Sequence, residues 1–248
     1  MARHGRSFIE ARAKVDREHE HQPAEAVKLV KDLKRAKFDE SVEIHVRTGL
    51  NVRHADEQLR GTIALPNGLG KSVTVAVFAK GDKAREAEEA GADVVGGEDL
   101  VNQVMSGTID FDAAVATPDV MALVGRAGRV LGPRGLMPNP KAGTVTFDIG
   151  KAVRDIKAGK LEYRVDRQGN LHLIIGKRSF DEARLLENYL AVVDEVMRAK
   201  PAAAKGRYIR SVTLTSTMGP GIRIDPARAR EVDVAGAPPA FADAAGDG

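Results

Sequence analysis

The sequence predicts an α+β domain, a split α/β sandwich assembled from both ends of the chain, with an α/β unit inserted between the two halves. Three observations carry this expectation. Residues 41–47 and 208–221 read as two strands of the same design, apolar on one face and polar on the other, near opposite ends of the chain. Between about 72 and 160 the pattern changes to short apolar strands alternating with helices, which implies a parallel sheet covered on both faces. Charge divides the same way: 1–66 and 161–230 together carry a net +7, whereas 67–160 is neutral. If the twin strands share a sheet, the ends build one domain and the middle is an excursion. The expected domains are therefore 1–66 with 161–230, then 67–160. A tail at 231–248, with four acids and neither Lys nor Arg, is expected to be disordered.

Each element has its own signal. Residues 5–17 suit a short amphipathic helix. Pro23 stands at the start of a clearer one over 24–35, with Ala26, Val27, Val30 and Leu33 as its apolar stripe. In the 41–47 strand Val42, Ile44 and Val46 share one face, and Ser41, Glu43, His45 and Arg47 the other. Residues 48–60 are polar and irregular, and a short strand over 61–65 ends at Pro66. Gly70-Lys71-Ser72 mimics the end of a phosphate-binding loop. The earlier glycine that such a loop requires is replaced by Leu65, however, and a strand rather than a helix follows, so nucleotide hydrolysis is rejected.

The middle of the chain then alternates: strand 73–79, helix 82–90 stopped by Gly91, strand 93–95, helix 98–106, strand 111–116, a helix opening at Pro118, and helix 148–158. The turn after the first of these strands is Lys80-Gly81-Asp82-Lys83, with one glycine and no GxGxxG. No Ser/His/Asp or paired-carboxylate constellation appears, which argues against an enzyme. Beyond 160, strands 161–165 and 171–175 flank a turn at 166–170 and read as a hairpin. A long helix over 180–198 has Ser179 and Asp181 as N-cap candidates and a stripe through Ala183, Leu186, Leu190, Val193 and Met197. In the last strand Val212, Leu214, Ser216 and Met218 point one way. Ser211, Thr213, Thr215 and Thr217 point the other, a row of hydroxyls that Met218-Gly219-Pro220-Gly221 brings to a sharp stop.

Composition narrows the chemistry. Aromatic residues are 4% of the 248, with no Trp, so the cores must be aliphatic and stacking on bases is at most a minor device. There is no Cys, which excludes disulfides and cysteine metal sites and fits a reducing cytosol. The six His include no HExxH. His19 and His21, among charged residues, are expected to be solvated, and no metal site is expected. No apolar run follows the basic N-terminus, so no signal peptide is expected, and no stretch approaches the length of a membrane span. A basic domain beside a neutral one points to a polyanionic partner.

The most unusual stretch is 125–143, with five glycines, three prolines, four basic residues and no acid. On physics alone it reads equally as a phosphate-facing loop or as a rigid connection that needs glycines for its turns. Within it, Arg129-Val-Leu-Gly-Pro-Arg-Gly-Leu-Met-Pro-Asn-Pro-Lys141 closely resembles the signature loop of the large-subunit ribosomal protein one family, bacterial type. The same holds for Ala36-Lys-Phe-Asp-Glu40, Leu65-Pro-Asn-Gly-Leu-Gly-Lys71, Glu88-Glu-Ala-Gly-Ala-Asp93, Ala116-Thr-Pro-Asp-Val-Met121 and Thr215-Ser-Thr-Met-Gly-Pro220. The resemblance covers about residues 2–228 in order. Minor departures fall at Arg167-Gln168 and Pro220-Gly221.

The resemblance implies a basic RNA-binding domain made from both chain ends and an inserted Rossmann-like three-layer domain. Two hinge passages join them, with Gly68, Gly70 and Gly159 supplying backbone freedom. It implies a non-enzymatic protein without cofactor or membrane association, in the cytoplasm on the ribosome and monomeric when free of it. The implied partners are large-subunit rRNA in the mobile stalk beside the tRNA exit site, deacylated tRNA whose release it assists, and its own operon mRNA, whose translation it represses through a similar RNA site. Carried over by position, the RNA-binding residues are Lys37, Phe38 and Glu43; Arg164 and Asp166; and Ser211, Thr213, Thr215, Ser216, Thr217, Met218 and Gly219. Hydroxyls both donate and accept, which suits 2′-OH groups and phosphate oxygens. Gly219 would let backbone approach RNA, and Phe38 and Met218 would pack on ribose or base faces. Against these stand plainer readings: Phe38 as core, Met218 in phase with the apolar face, and Arg164–Asp166 as a surface ion pair.

Overall fold

The computed structural model describes residues 5–231 apart from Arg17, Lys34, Arg35 and Lys205. Beyond Glu231, the expected disordered tail lies outside the described residues. The described chain divides into two compact units, one formed by residues up to Leu59 and from Arg164 onward, the other by Arg60–Tyr163. In order, the first unit opens with α1 (Arg6–Ala13), α2 (Pro23–Asp32) and β1 (Ser41–Thr48). There follow β2 (Arg60–Ala64), β3 (Val75–Phe78), α3 (Asp82–Glu89), β4 (Val94–Gly96), α4 (Glu98–Met105), β5 (Ala113–Ala116), α5 (Met121–Val124), α6 (Gly128–Leu131), α7 (Ile149–Lys157) and β6 (Lys160–Arg164). The chain then returns through β7 (Asn170–Lys177), α8 (Glu182–Arg198), β8 (Ile209–Ser216) and β9 (Ile222–Ile224).

In the first unit the twin strands are direct neighbours. The sheet order is β7-β1-β8-β9, and β1 is antiparallel to both β7 and β8. Period-two alternation sends Val42, Ile44, Val46, Leu171, Leu173, Val212, Leu214, Ile222 and Ile224 to one buried face. The helices α2 and α8 pack there. The α2 stripe Ala26, Val27, Val30 and Leu33 is buried as its periodicity predicts. The stripe of α8 is not the expected one. Leu185, Asn188, Tyr189, Val192, Val193 and Val196 are buried, whereas Ala183 and Met197 are exposed. Apolar residues occupy two adjoining stripes of this helix, so its sequence leaves the rotation open by about one residue, or ~100°. Seating Tyr189, fully buried, and bonding Asn188 Nδ2 to the Ile175 carbonyl at 2.7 Å select one of them. Asp181 is the N-cap position without a side-chain cap bond, and the Ser179 hydroxyl donates to Asp39 instead.

Strands over 161–165 and 171–175 do form, but not as a hairpin. β6 pairs with β2 in a two-stranded ribbon, while β7 pairs with β1. The ribbon is bracketed by bonds from the Val165 amide to the Leu59 carbonyl and from the Leu65 amide to the Gly159 carbonyl. Alternation marks a strand and its faces, not its partner. The turn at 166–170 switches the chain from one sheet to the other.

The second unit is a parallel sheet, order β4-β3-β5, between two apolar layers. The central strand β3 is buried on both faces. Val75 and Val77 pack with Ile149, Val153 and Ile156 of α7, and Ala76 and Phe78 with Leu100, Val101 and Val104 of α4. The glycine-rich stretch 125–143 is partly helical, and Ala127 and Leu131 are fully buried in the second of these cores. Its first half is therefore a packed connection, while Arg129 and Arg134 are exposed. Gly68, Gly70 and Gly159 all lie within this unit. Their φ values of 64°, 69° and 103° require glycine, and a Cβ on Gly159 would come within 2.7 Å of Gly68 Cα.

Candidate nucleic-acid interface

The outer face of the four-stranded sheet is built by register. Directly opposed antiparallel residues share a face, so the pairings generate rows across the strands. One row runs Asn170, Arg47, Ser211. The next runs His172, His45, Thr213, Arg223, and a third runs Ile174, Glu43, Thr215. Helices α2 and α8 pack on the inner face, and these outer side chains are partly or fully exposed. Glu43, Ser211, Thr213 and Thr215 are thus brought together, as expected from the sequence. His45, Arg47, Asn170, His172 and Arg223 belong to the same surface and are absent from the expected set. The alternation of 41–47 already places His45 and Arg47 there; the other three needed the strand register.

The hydroxyls of this strand differ in what they do. Among the described residues, those of Ser211 and Thr213 make no hydrogen bond. Thr215 Oγ1 donates toward the carbonyls of Ser216, Gly219 and Pro220 at 3.1–3.4 Å. Thr217 Oγ1 accepts from the Ser41 amide at 3.0 Å, closing the end of the β1–β8 pair. Ser216 is buried, and its hydroxyl donates to Glu40 Oε2 at 2.7 Å. Ser216 is therefore an internal group rather than part of the outward row, as its inward phase in the strand implies.

Glu40 organises one end of the sheet. Its carboxylate is fully buried and accepts from the Ala36 amide, the Ser216 hydroxyl and the Met218 amide, at 3.0, 2.7 and 3.1 Å. Nothing in the sequence distinguishes this acid from a surface one. Its bonds tie the loop carrying Lys37 and Phe38 to the turn carrying Met218 and Gly219. The result is two exposed apolar side chains, Phe38 at 55% and Met218 at 48%, on the two loops that one carboxylate holds. Neither the core reading of Phe38 nor the inward phase of Met218 applies. Gly219 is needed internally, because a Cβ there would lie 2.5 Å from Ser216 Oγ.

At the other end Asp166 folds its own turn. It accepts from the amides of Gln168 and Asn170 at 2.8 and 2.7 Å and from Asn170 Nδ2 at 3.0 Å, and its carboxylate lies 3.5 Å from His172 Nε2. Partial burial acts to raise its pKa, but these donors together hold it down at about 2. Asp166 reaches the outer face through His172, whose Nδ1 lies 2.8 Å from Nδ1 of His45. That bond needs one protonated and one bare nitrogen. Burial first, and then the neighbouring His172, keep His45 below its ordinary pKa against the pull of Glu43. Arg164 is exposed at the end of β6, outside the four-stranded sheet, and the plainer alternative of an ion pair with Asp166 is not among the ion pairs of the described residues.

The outer sheet face thus sets the hydroxyls of Ser211 and Thr213, unbonded among the described residues, beside the paired imidazoles of His45 and His172 and the guanidinium groups of Arg47 and Arg223. The chain matches the model of the family described as "Ribosomal protein L1p/L10e family" over residues 29–220. Among its relatives is the "Large ribosomal subunit protein uL1" of Thermobifida fusca (strain YX), 60% identical over 91% of this chain and 96% of the relative. The proteins of the same name from Rubrobacter xylanophilus and Rhodococcus erythropolis are 58% and 55% identical, over 92% and 94% of this chain and 99% and 97% of theirs. The chain belongs to the ribosomal protein L1p/L10e family. It is a structural, non-enzymatic protein of the cytoplasmic ribosome. No helix among the described residues is long and apolar enough to cross a membrane.

Proposed function

We propose that this protein is a constituent of the large ribosomal subunit and binds its rRNA directly through the outer face of the β7-β1-β8-β9 sheet. The observation that carries the reading is the face itself: Ser211 and Thr213 offer unbonded hydroxyls between Arg47 and Arg223. Hydroxyls that donate and accept suit the 2′-OH groups that line the shallow groove of RNA, and the arginines suit phosphates. The loops held by Glu40 add Lys37, Phe38 and Met218 at one edge. Asp166 and Arg164 serve the other, Asp166 by shaping the turn and Arg164 as a cation.

The finer reading extends the same surface. In the stalk beside the tRNA exit site, the RNA-bound first unit anchors the protein, and the second unit moves as deacylated tRNA leaves. Gly68, Gly70 and Gly159 supply the backbone freedom for that motion, although all three lie inside the second unit and not at its boundary, and the free protein is a monomer. The operon mRNA is bound by the same face and its translation repressed, since one RNA-shaped surface serves both ligands.

The test is binding of the full-length chain to large-subunit rRNA across a salt series. Arg47→Ala and Arg164→Ala should each lower affinity and reduce the slope of log K against log salt by about one, if each arginine neutralises one phosphate. Co-sedimentation with large subunits should weaken in parallel. Unchanged affinity and slope in both variants would remove the sheet face as the RNA site.

A further inference from the structure

We propose that His19, His21 and Glu25 form a binding site for one divalent transition-metal ion of the zinc type. Two imidazole nitrogens and one carboxylate oxygen lie within 4.8 Å of one another, on the segment leading into α2 and on the first turn of that helix. The sequence alone left this pair of histidines as solvated surface. His19 is exposed, but His21 is only 6% exposed, and neither of its ring nitrogens has a hydrogen-bond partner among the described residues. A buried imidazole with both nitrogens unsatisfied is an unfavourable arrangement that calls for a ligand.

The geometry identifies the kind of ligand. His21 Nδ1 stands 3.1 Å from Glu25 Oε1 without meeting hydrogen-bond geometry. Bonds of about 2.0–2.1 Å to one tetrahedral zinc would separate two such ligands by roughly 3.3 Å. The pair is therefore already close to the spacing that a shared ion imposes. The exposed His19 ring meets the His21 ring edge-on, at 4.5 Å between centroids, and a side-chain rotation brings it in as the third ligand. His21 is the anchored member: its amide donates to the Arg223 carbonyl at 2.9 Å, and its carbonyl accepts from the Asp225 amide at 3.1 Å. Two imidazoles and one carboxylate favour zinc and its neighbours over magnesium or calcium, which prefer oxygen alone. Water completes the coordination. The ion would clamp the 19–21 segment, which is already backbone-bonded to β9, onto the first turn of α2.

The experiment uses the metal-free full-length chain, with Zn²⁺ followed by equilibrium dialysis and Co²⁺ by its visible absorption. One ion per chain should bind, with the intense bands of a four-coordinate site, and Zn²⁺ should raise the thermal unfolding midpoint. His19→Ala and Glu25→Gln alter exposed side chains, so both should fold. Each should weaken Zn²⁺ binding by about tenfold or more and abolish the rise in midpoint. His45→Gln and His172→Gln, which break the other close imidazole pair, should leave binding unchanged. The proposal is overturned if the parent shows no saturable Zn²⁺ binding, if binding survives both His19→Ala and Glu25→Gln, or if it is lost in His45→Gln instead.

Discussion

Replacing Thr213 by Val separates RNA recognition from stability at one atom. Val keeps the β-branched shape and the Cγ2 that packs beside Gly221, where a Cβ would come within 2.9 Å of it. Only the hydroxyl is lost, and among the described residues that hydroxyl bonds to nothing within the protein. Folding free energy should therefore stay within about 0.5 kcal/mol of the parent, as for a surface change without partners in a strand that Val suits. Binding should behave differently. An RNA group left without its partner in a water-excluded contact costs roughly 1–3 kcal/mol, or about tenfold to a hundredfold in affinity. The salt slope should not move, because no charge is removed. Thr217→Val is the internal control. Its Oγ1 accepts from the Ser41 amide at 3.0 Å, so this change should lower stability by about 0.5–1.5 kcal/mol before any RNA is added. Urea unfolding and rRNA titration of both variants supply the numbers. If Thr213→Val binds rRNA as tightly as the parent, the centre of the outer face does not touch RNA and the assignment of the site is wrong.

The remaining expectations concern the groups around that face. Asp166, held at about 2 when folded, contributes stability that is present above its unfolded pKa of about 4 and is lost as pH falls toward 2. Asp166→Asn should flatten that acid limb of the stability curve, measured by urea unfolding at stepped pH. His45 titrates below its ordinary value when folded, so the unfolded chain takes up the proton more readily and stability falls as pH drops through about 6.5 and below. His45→Gln should remove that loss, and an unchanged profile between pH 7.5 and 5 would show that the imidazole pair is not its source. Gly159→Ala forces a side chain onto a φ of 103° and against Gly68 Cα, and should destabilise the protein by about 1–3 kcal/mol in thermal or urea unfolding.

Local periodicity by itself determined the strand 41–47, the strand read within 208–221 with its inward and outward residues up to Ser216 but not the exposed Met218, the α2 stripe and the alternating middle of the chain. Each of these depends only on which residues recur on one face, and a sequence states that directly. The family motifs identified the ribosomal protein family because several long segments match in order. What tertiary structure alone decided is pairing and partnership. The strand over 160–164 could not be assigned to β2 rather than β7, because alternation carries no information about which edge a strand joins. The rotation of α8 stayed open because Leu185 and Leu186, like Val192 and Val193, offer two adjoining apolar stripes. The row of hydroxyls looked uniform in sequence. Only the fold engages Thr215 with the carbonyls of Ser216, Gly219 and Pro220 and Thr217 with Ser41, leaves Ser211 and Thr213 unbonded among the described residues, and supplies Glu40 as the partner of the inward Ser216. The burial of Glu40, and of His21, which the sequence left as solvated, was not legible for the same reason: burial of a polar side chain is set by what distant segments bring against it, here the turn at 216–219 and the edge strand β9.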